Sequence, residues 1–316
     1  MLKKRGFYKG LNLGGWLSQC DYSEKHLNSF ITEKDFETIA SWEADHVRIP
    51  IDYNILQNSD GSCNEIGFER LDYALNLCEK YNLNTVIDLH KTAGYSFDKY
   101  EGENGFFYDE HLQEKFYLLW DKISEKYGSL CKRTAFELLN EVTDEKYSDI
   151  WNSIAQKCIA RIRKNAPQTL ILYGGCNNNS AEAVTLLESP HDENIIYNFH
   201  CYEPLIFTHQ GATWTDKINP ENRISYSECG CNTDFFEKEF APALEAAKNN
   251  NTILYCGEYG VIDRVPVNDV LSWYRDIHAV FEKYGIGRCT WNYKEKDFGI
   301  SDKRFDSIRN ELLKYL

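Results

Sequence analysis

The segment Thr134-Ala135-Phe136-Glu137-Leu138-Leu139-Asn140-Glu141 decides how the chain is read, because a short β-rich run ends directly on an amide and a carboxylate. The same arrangement recurs at Thr252-Ile253-Leu254-Tyr255-Cys256-Gly257, which is followed at once by Glu258. Charged side chains that directly follow apolar runs are costly to desolvate unless they pair with one another or with a ligand. The ends of the runs are therefore the places to look for chemistry.

Comparable runs fall at residues 6–13, 46–49, 85–89, 134–139, 170–173, 195–199, 252–257 and 287–291. Segments of helical periodicity fall between and after them, at 33–42 behind Thr32, and at 67–81, 110–127, 148–165, 181–188, 235–249, 269–284 and 305–315. One helix after each strand is the signature of a parallel α/β fold. The runs are continuously apolar, as strands covered on both faces are. Eight such units predict a closed (β/α)8 TIM barrel, whereas a doubly wound open sheet gives no reason for eight evenly spaced units. The 316 residues suit one barrel, and no linker or composition shift divides them. Residues 1–316 are accordingly expected to form a single catalytic domain, with one long loop at 202–234 after the sixth strand. A loop of that length is usually functional.

Composition narrows the partners. With 42% hydrophobic and 27% charged residues, disorder, collagen and coiled coil are excluded. No run approaches the roughly 18 apolar residues of a membrane span. The basic start Met1-Leu2-Lys3-Lys4-Arg5 is not followed by an apolar signal region, so the chain as written reads as cytoplasmic, or as extracellular if a signal was removed. The net charge of −14 repels phosphate backbones and disfavours a nucleic-acid partner or a polyanionic substrate. A neutral ligand suits it, and the surplus of Tyr and Trp offers flat amphipathic faces on which sugars stack. A monomer is expected. The 11 cysteines form no CxxC and read as reduced core residues; Cys229-Gly230-Cys231 is the one exposed-looking pair, and its spacing is not a recognised zinc arrangement.

In a (β/α)8 barrel the active site gathers where strands end. Here the strand ends carry Asn12, Arg48, His90, Asn140 with Glu141, His200 with Tyr202, Glu258 and Trp291. Two carboxylates facing across a cleft are what glycoside hydrolysis requires, one donating a proton to the leaving oxygen and one acting as nucleophile or base. A single Glu in such a place often only caps a strand or pairs with Arg48. The convergence of Glu141 and Glu258 with Arg48, His90, His200 and Trp291 favours a site. No HExxH or comparable spacing accompanies the histidines, so neither metal nor cofactor is expected. Trp42, Trp120, Trp151 and Trp273 fall on helix faces and read as packing, and for Trp16 and Asn12 structure and function weigh evenly.

The motifs His46-Val47-Arg48-Ile49-Pro50, Asp88-Leu89-His90, Leu139-Asn140-Glu141, His200-Cys201-Tyr202, Gly257-Glu258-Tyr259-Gly260 and Trp291-Asn292 resemble glycoside hydrolase family 5. Gly14-Gly15-Trp16, Phe136 to Glu141, Tyr197-Asn198-Phe199-His200 and Phe207-Thr208-His209-Gln210 resemble, within it, the clostridial endoglucanase C type. The resemblance implies a retaining endo-β-1,4-glucanase acting on soluble β-glucans without a cofactor, with Glu141 as acid/base and Glu258 as nucleophile. A β-mannanase or a β-glucanase of another linkage is the alternative within the family, and a silent carbohydrate-binding barrel the alternative outside catalysis. Arg48 and a hydroxyl such as Tyr202 would support an ionised Glu258, while Asn140 suits the sugar 2-hydroxyl. His90 and His200 would orient hydroxyls or carboxylates, Trp291 would form the floor of the cleaved sugar, and Trp214 a flanking subsite. Two departures stand out: Lys91 where many relatives carry a second His, which puts a cation near the cleft, and Val142 where many carry Pro. The sizeable inserted subdomain of the endoglucanase C type is reduced here to the 202–234 loop.

Overall fold

The computed structural model of the protein describes residues 1–316. Strands β1 (Lys9–Asn12), β2 (His46–Asp52), β3 (Asn84–Lys91), β4 (Thr134–Glu137), β5 (Leu170–Gly174), β6 (Ile195–Cys201), β7 (Leu254–Tyr259) and β8 (Gly287–Thr290) close into a barrel in chain order. Every neighbouring pair is parallel, so the barrel is the (β/α)8 architecture that the alternation predicts. At the base of the barrel a cluster of ten buried apolar residues, including Leu2, Val86, Leu172 and Tyr255, fills the interior.

Long helices at Glu33–Ser41, Glu65–Lys80, Glu110–Tyr127, Ser148–Asn165, Thr233–Asn249 and Val267–Tyr284 wrap the strands. Asn64, Asp109 and Asn232 accept first-turn backbone N–H groups, and Thr32 with Asp35 forms a capping box. Each such cap contributes about 1 kcal/mol. Trp120, Trp151 and Trp273 are fully buried, as packing residues should be. Their indole N–H groups donate to the carbonyls of Leu138 at 3.0 Å, Gly174 at 2.8 Å and Glu203 at 3.0 Å. Three helices are thus hooked to the end of β5 and to the chain just beyond β4 and β6, and the mouth of the barrel inherits the rigidity of its wall.

Two expected helices take other forms. Residues 181–188 contain only a 3₁₀ helix, Glu182–Leu186. Ala181, Val184 and Leu187 are all buried, and a spacing of three is the repeat of a 3₁₀ face. Pro190 follows, which disfavours helical backbone at Ser189. Residues 305–315 break into the short turns Lys303–Phe305, Arg309–Leu312 and Leu313–Tyr315. The Arg309 guanidinium donates to the carbonyls of Ser301 and Asp302 and to the Asp306 carboxylate, which anchors the break.

Candidate active site

Arg48, fully buried on β2, organises the mouth. Its five N–H groups are all used: Nε and Nη2 reach the two oxygens of Glu137 at 2.7 and 2.8 Å, Nη1 reaches Asn12 Oδ1 at 2.9 Å and Glu258 Oε1 at 2.7 Å, and Nη2 reaches Asn140 Oδ1 at 2.8 Å. Asp88 Oδ2 lies 3.0 Å from Nη2. Burial works against this cation, yet Asp88, Glu137 and Glu258 together hold its pKa well above the ordinary value. Burial in turn pushes Asp88 up to about 7 and raises Glu137, with Arg48 pulling both the other way.

Glu258 ends up between two donors, Arg48 Nη1 on Oε1 and the Tyr202 hydroxyl on Oε2 at 2.8 Å. Burial and the neighbouring Glu258 both raise the pKa of Tyr202, so its proton stays in place to be donated. Gly257 makes room for this packing, since a Cβ there would stand 2.7 Å from Asn198 Oδ1 and 3.1 Å from His200 Nε2.

Glu141 sits one turn beyond β4 with φ of 36°, a left-handed conformation that a residue with a side chain adopts at a cost of about 1 kcal/mol or more. Tyr95 holds that turn by donating to the Glu141 carbonyl at 2.7 Å and accepting the Thr143 N–H at 2.8 Å. The carboxylate meets His200 Nδ1 at 2.9 Å through Oε1 and the Asn178 amide at 3.0 Å through Oε2. Burial raises the pKa of Glu141, and the Asn178 donor opposes that rise. Burial lowers His200 to about 4, so the imidazole is neutral at ordinary pH. The Asn179 amide beside Nε2, at 3.4 Å, favours the tautomer with its proton on Nδ1. Oxygens of Glu141 and Glu258 and the His200 nitrogen all lie within 4.8 Å of one another. The same three groups are a possible set of metal ligands, but Arg48 already neutralises Glu258 at 2.7 Å and would repel a dication there.

Of the other residues read from sequence, Trp291 lies beside His90 with the two rings 5.8 Å apart and 3° from parallel. Gly14 lets the indole lie flat, because a Cβ there would stand 2.5 Å from its six-membered ring. His90 is fixed through Nδ1 by Asp88 at 2.7 Å, and burial lowers its pKa. Asn12 has nothing left for a ligand: its amide donates to the carbonyls of Gly257, Cys289 and Thr290 while its oxygen takes Arg48. Asn12 therefore serves the framework. Trp16 does the same, donating to Leu27 O at 2.9 Å. Trp214 stands outside the carboxylate cluster, 45% exposed, edge-on to His209, which itself packs on Tyr202. Lys91 is not a free cation in the cleft, because Tyr22 and Glu101 each hold its ammonium at 2.9 Å and Asp52 lies 3.8 Å away.

Sequence reading missed Asp88, Glu137, Asn178 and Tyr95. For the first two a signal existed, since a carboxylate inside an apolar strand must find a buried partner.

The profile of Cellulase (glycosyl hydrolase family 5) matches residues 9–297. The chain belongs to glycosyl hydrolase family 5, the cellulase family. Within the family it is 54% identical to Cellodextrinase A of Ruminococcus flavefaciens, over 91% of this chain and 86% of that protein. It is 35% identical to Endoglucanase C of Acetivibrio thermocellus over 98% of each. Among solved structures, the cellulose synthase subunit Z of Clostridioides difficile superposes with a TM-score of 0.84 at 26% identity, covering 98% of this chain and 99% of that one. This family 5 protein is a glycoside hydrolase.

Proposed function

We propose that the protein is a retaining β-1,4-glucanase that hydrolyses internal glucosidic bonds of soluble β-glucans by double displacement. The observation that carries this reading is the closeness of Glu141 and Glu258, oxygens of which lie within 4.8 Å of each other. Retaining enzymes hold their carboxyl groups about 5 to 5.5 Å apart, whereas inverting ones leave room for a water. The names of the relatives, an endoglucanase and a cellodextrinase, support β-glucan as the substrate class.

In this reading Glu258 attacks the anomeric carbon while Glu141, whose pKa burial raises, gives its proton to the leaving oxygen. The C–O bond to the leaving sugar breaks as the ester to Glu258 forms. Having given its proton, Glu141 is now a carboxylate, a form that the loss of the Glu258 charge favours, and it takes a proton from the water that attacks the anomeric carbon and breaks the ester to Glu258. The Asn140 amide nitrogen, whose oxygen is held by Arg48, is left to meet the 2-hydroxyl, and Trp291 stacks under the ring.

Proton NMR of fresh product tests the assignment: the β-anomer should appear first, and first appearance of the α-anomer would overturn retention. On barley β-glucan, carboxymethyl cellulose, xyloglucan and mannan, release from the glucans is expected. Activity on mannan alone would overturn the sugar. Glu258→Gln should lower kcat by about four orders of magnitude or more with the fold intact.

A further inference from the structure

Between β6 and the helix Thr233–Asn249 the chain makes an excursion whose base is closed by one side chain. The buried Gln210 donates to the Ile224 carbonyl at 3.0 Å and accepts the Ile224 N–H at 3.1 Å. Residues 211–223 form a strap between these points, and most of them lie on the surface. On the β7 side Trp214 lies under the Arg264 guanidinium, 5.7 Å from its ring centroid. In the middle Lys217 reaches Asn178 Oδ1, beyond β5, at 3.5 Å. On the far side the Asp216 carboxylate lies 3.6 Å from the Lys99 ammonium, in the turn beyond β3. The loops after β4 and β5 are short, so the strap passes over the ends of those two strands.

What lies beneath it is the acid. Glu141 follows β4, and the Asn178 that holds its Oε2 is the residue Lys217 touches. The acid gives its proton to the leaving oxygen, so the leaving sugar departs on the Glu141 side. Trp291 follows β8, the strand across the barrel order from β4, and its ring reaches over the mouth to lie beside His90 of β3. The strap therefore crosses the path that a long leaving chain would need.

We propose that the 211–223 strap, set against Lys99 through Asp216, closes the leaving-group end of the cleft, so that the enzyme takes cello-oligosaccharides and detaches a short reducing-end piece. The inference rests on the retaining reading with Glu141 as acid, and narrows it to bonds near the reducing end of short chains. An exposed ion pair contributes little by itself, so the pair marks where the strap lies, and the path of the strap over the ends of β4 and β5 forms the barrier.

The test uses cellohexaose carrying ¹⁸O at its reducing-end carbon, with mass spectrometry of the products. For the wild type the label should appear in glucose and cellobiose. Replacing residues 213–221 by a Gly-Ser link keeps the Gln210–Ile224 clamp. That variant should move label into longer fragments and raise kcat/KM on barley β-glucan, relative to cellohexaose, by about tenfold. Lys99→Glu and Asp216→Lys, each placing like charges together, should shift both readouts the same way by about twofold, and the double variant should restore them. Label spread over all fragment lengths in the wild type would overturn the proposal. So would an unchanged pattern in the folded short-strap variant, or, should that variant fail to fold, no shift in either charge reversal. Absence of cleavage of any cello-oligosaccharide by the wild type would instead overturn the β-1,4 reading, and the inference with it.

Discussion

Arg48 and Arg288 are both sealed from solvent, yet their surroundings differ in kind. Arg48 points into the barrel among Asp88, Glu137 and Glu258, with every N–H spent on an acceptor. Arg288, on β8, points outward to one half-exposed carboxylate, Glu282 at 2.9 Å, and to the Leu316 carbonyl at 2.7 Å, lies over the rings of Tyr8 and Phe281, and leaves its Nε unpartnered. A packing clamp manages with one acid and aromatic faces. A cation surrounded by three buried acids costs far more desolvation than a clamp requires, and one of its acids, Glu258, faces the cleft. The excess of negative charge around Arg48 is the physical mark of the site.

The sharpest way to break that contrast is to remove each cation. Arg48→Met leaves three buried acids uncompensated and should destabilise the fold by about 3 to 5 kcal/mol while abolishing turnover. Arg288→Met should cost about 1 to 3 kcal/mol and leave kcat within about twofold. Similar losses of kcat in both folded variants would erase the distinction. The pH dependence has a definite sign. Asp88 is raised in the folded state, to about 7, so the stability it contributes is fully present below its unfolded value of about 4 and is lost as pH rises through about 7. Without Arg48 the opposing pull is gone, and the deficit of Arg48→Met, followed by denaturant melts, should widen between those pH values.

Glu141 tests the mouth from the other direction, since it is held by neutral donors and not by Arg48. Glu141→Ala should slow substrates with poor leaving groups about 10² to 10⁴-fold more than aryl glycosides with activated ones, because only the former need the proton. Equal losses would remove Glu141 from the acid role. An acid must be protonated to act, so activity falls as pH rises through its pKa, and burial moves that limb upward. Asn178→Ala withdraws a donor that favours the charged form, so the alkaline limb of kcat/KM should move higher by about one unit or less. A limb that stays in place would reduce Asn178 to a structural contact.

The contrast also explains what the sequence could tell. Side chains such as Arg48, Glu141, His200 and Glu258 were legible because each interrupts or directly follows an apolar run, where no inexpensive burial is available. Asp88 and Glu137 lie inside their runs, and a parallel strand apolar on both faces gives no period from which an inward residue can be told. Asn177, Asn178 and Asn179 all adopt left-handed backbone, which Asn tolerates better than most residues. Which carboxylate Asn178 would meet depended on the closure of β4 against β5, and that lies outside any local pattern. The strand order was legible throughout, while the 3₁₀ segment Glu182–Leu186 was misread because a spacing of three imitates helical periodicity over so few residues. The path of the strap rests on contacts between residues more than a hundred positions apart, such as Lys99 and Asp216, and nothing local announces them.

The smallest effect separates interior from surface loops through sulfur. All eleven cysteines are free, and Cys20, Cys63, Cys131 and Cys229 alone are half-buried, whereas Cys289 lies in the base of the barrel and Cys231 is buried beside the foot of the strap. Burial raises the Cys231 and Cys78 thiols to about 12, and since the thiolate is the nucleophile, accessibility and ionisation both slow the interior residues. An aromatic disulfide reagent at pH near 8 should titrate at most the four half-buried thiols in the native protein and all eleven in denaturant. A denatured count two short would mean a disulfide. Because Cys229 and Cys231 are neighbours with unequal burial, native labelling mapped by mass spectrometry should find Cys229 modified and Cys231 spared. Equal labelling of the two would mean that the foot of the strap opens as a unit, and the rigidity inherited from the barrel wall would then stop short of it.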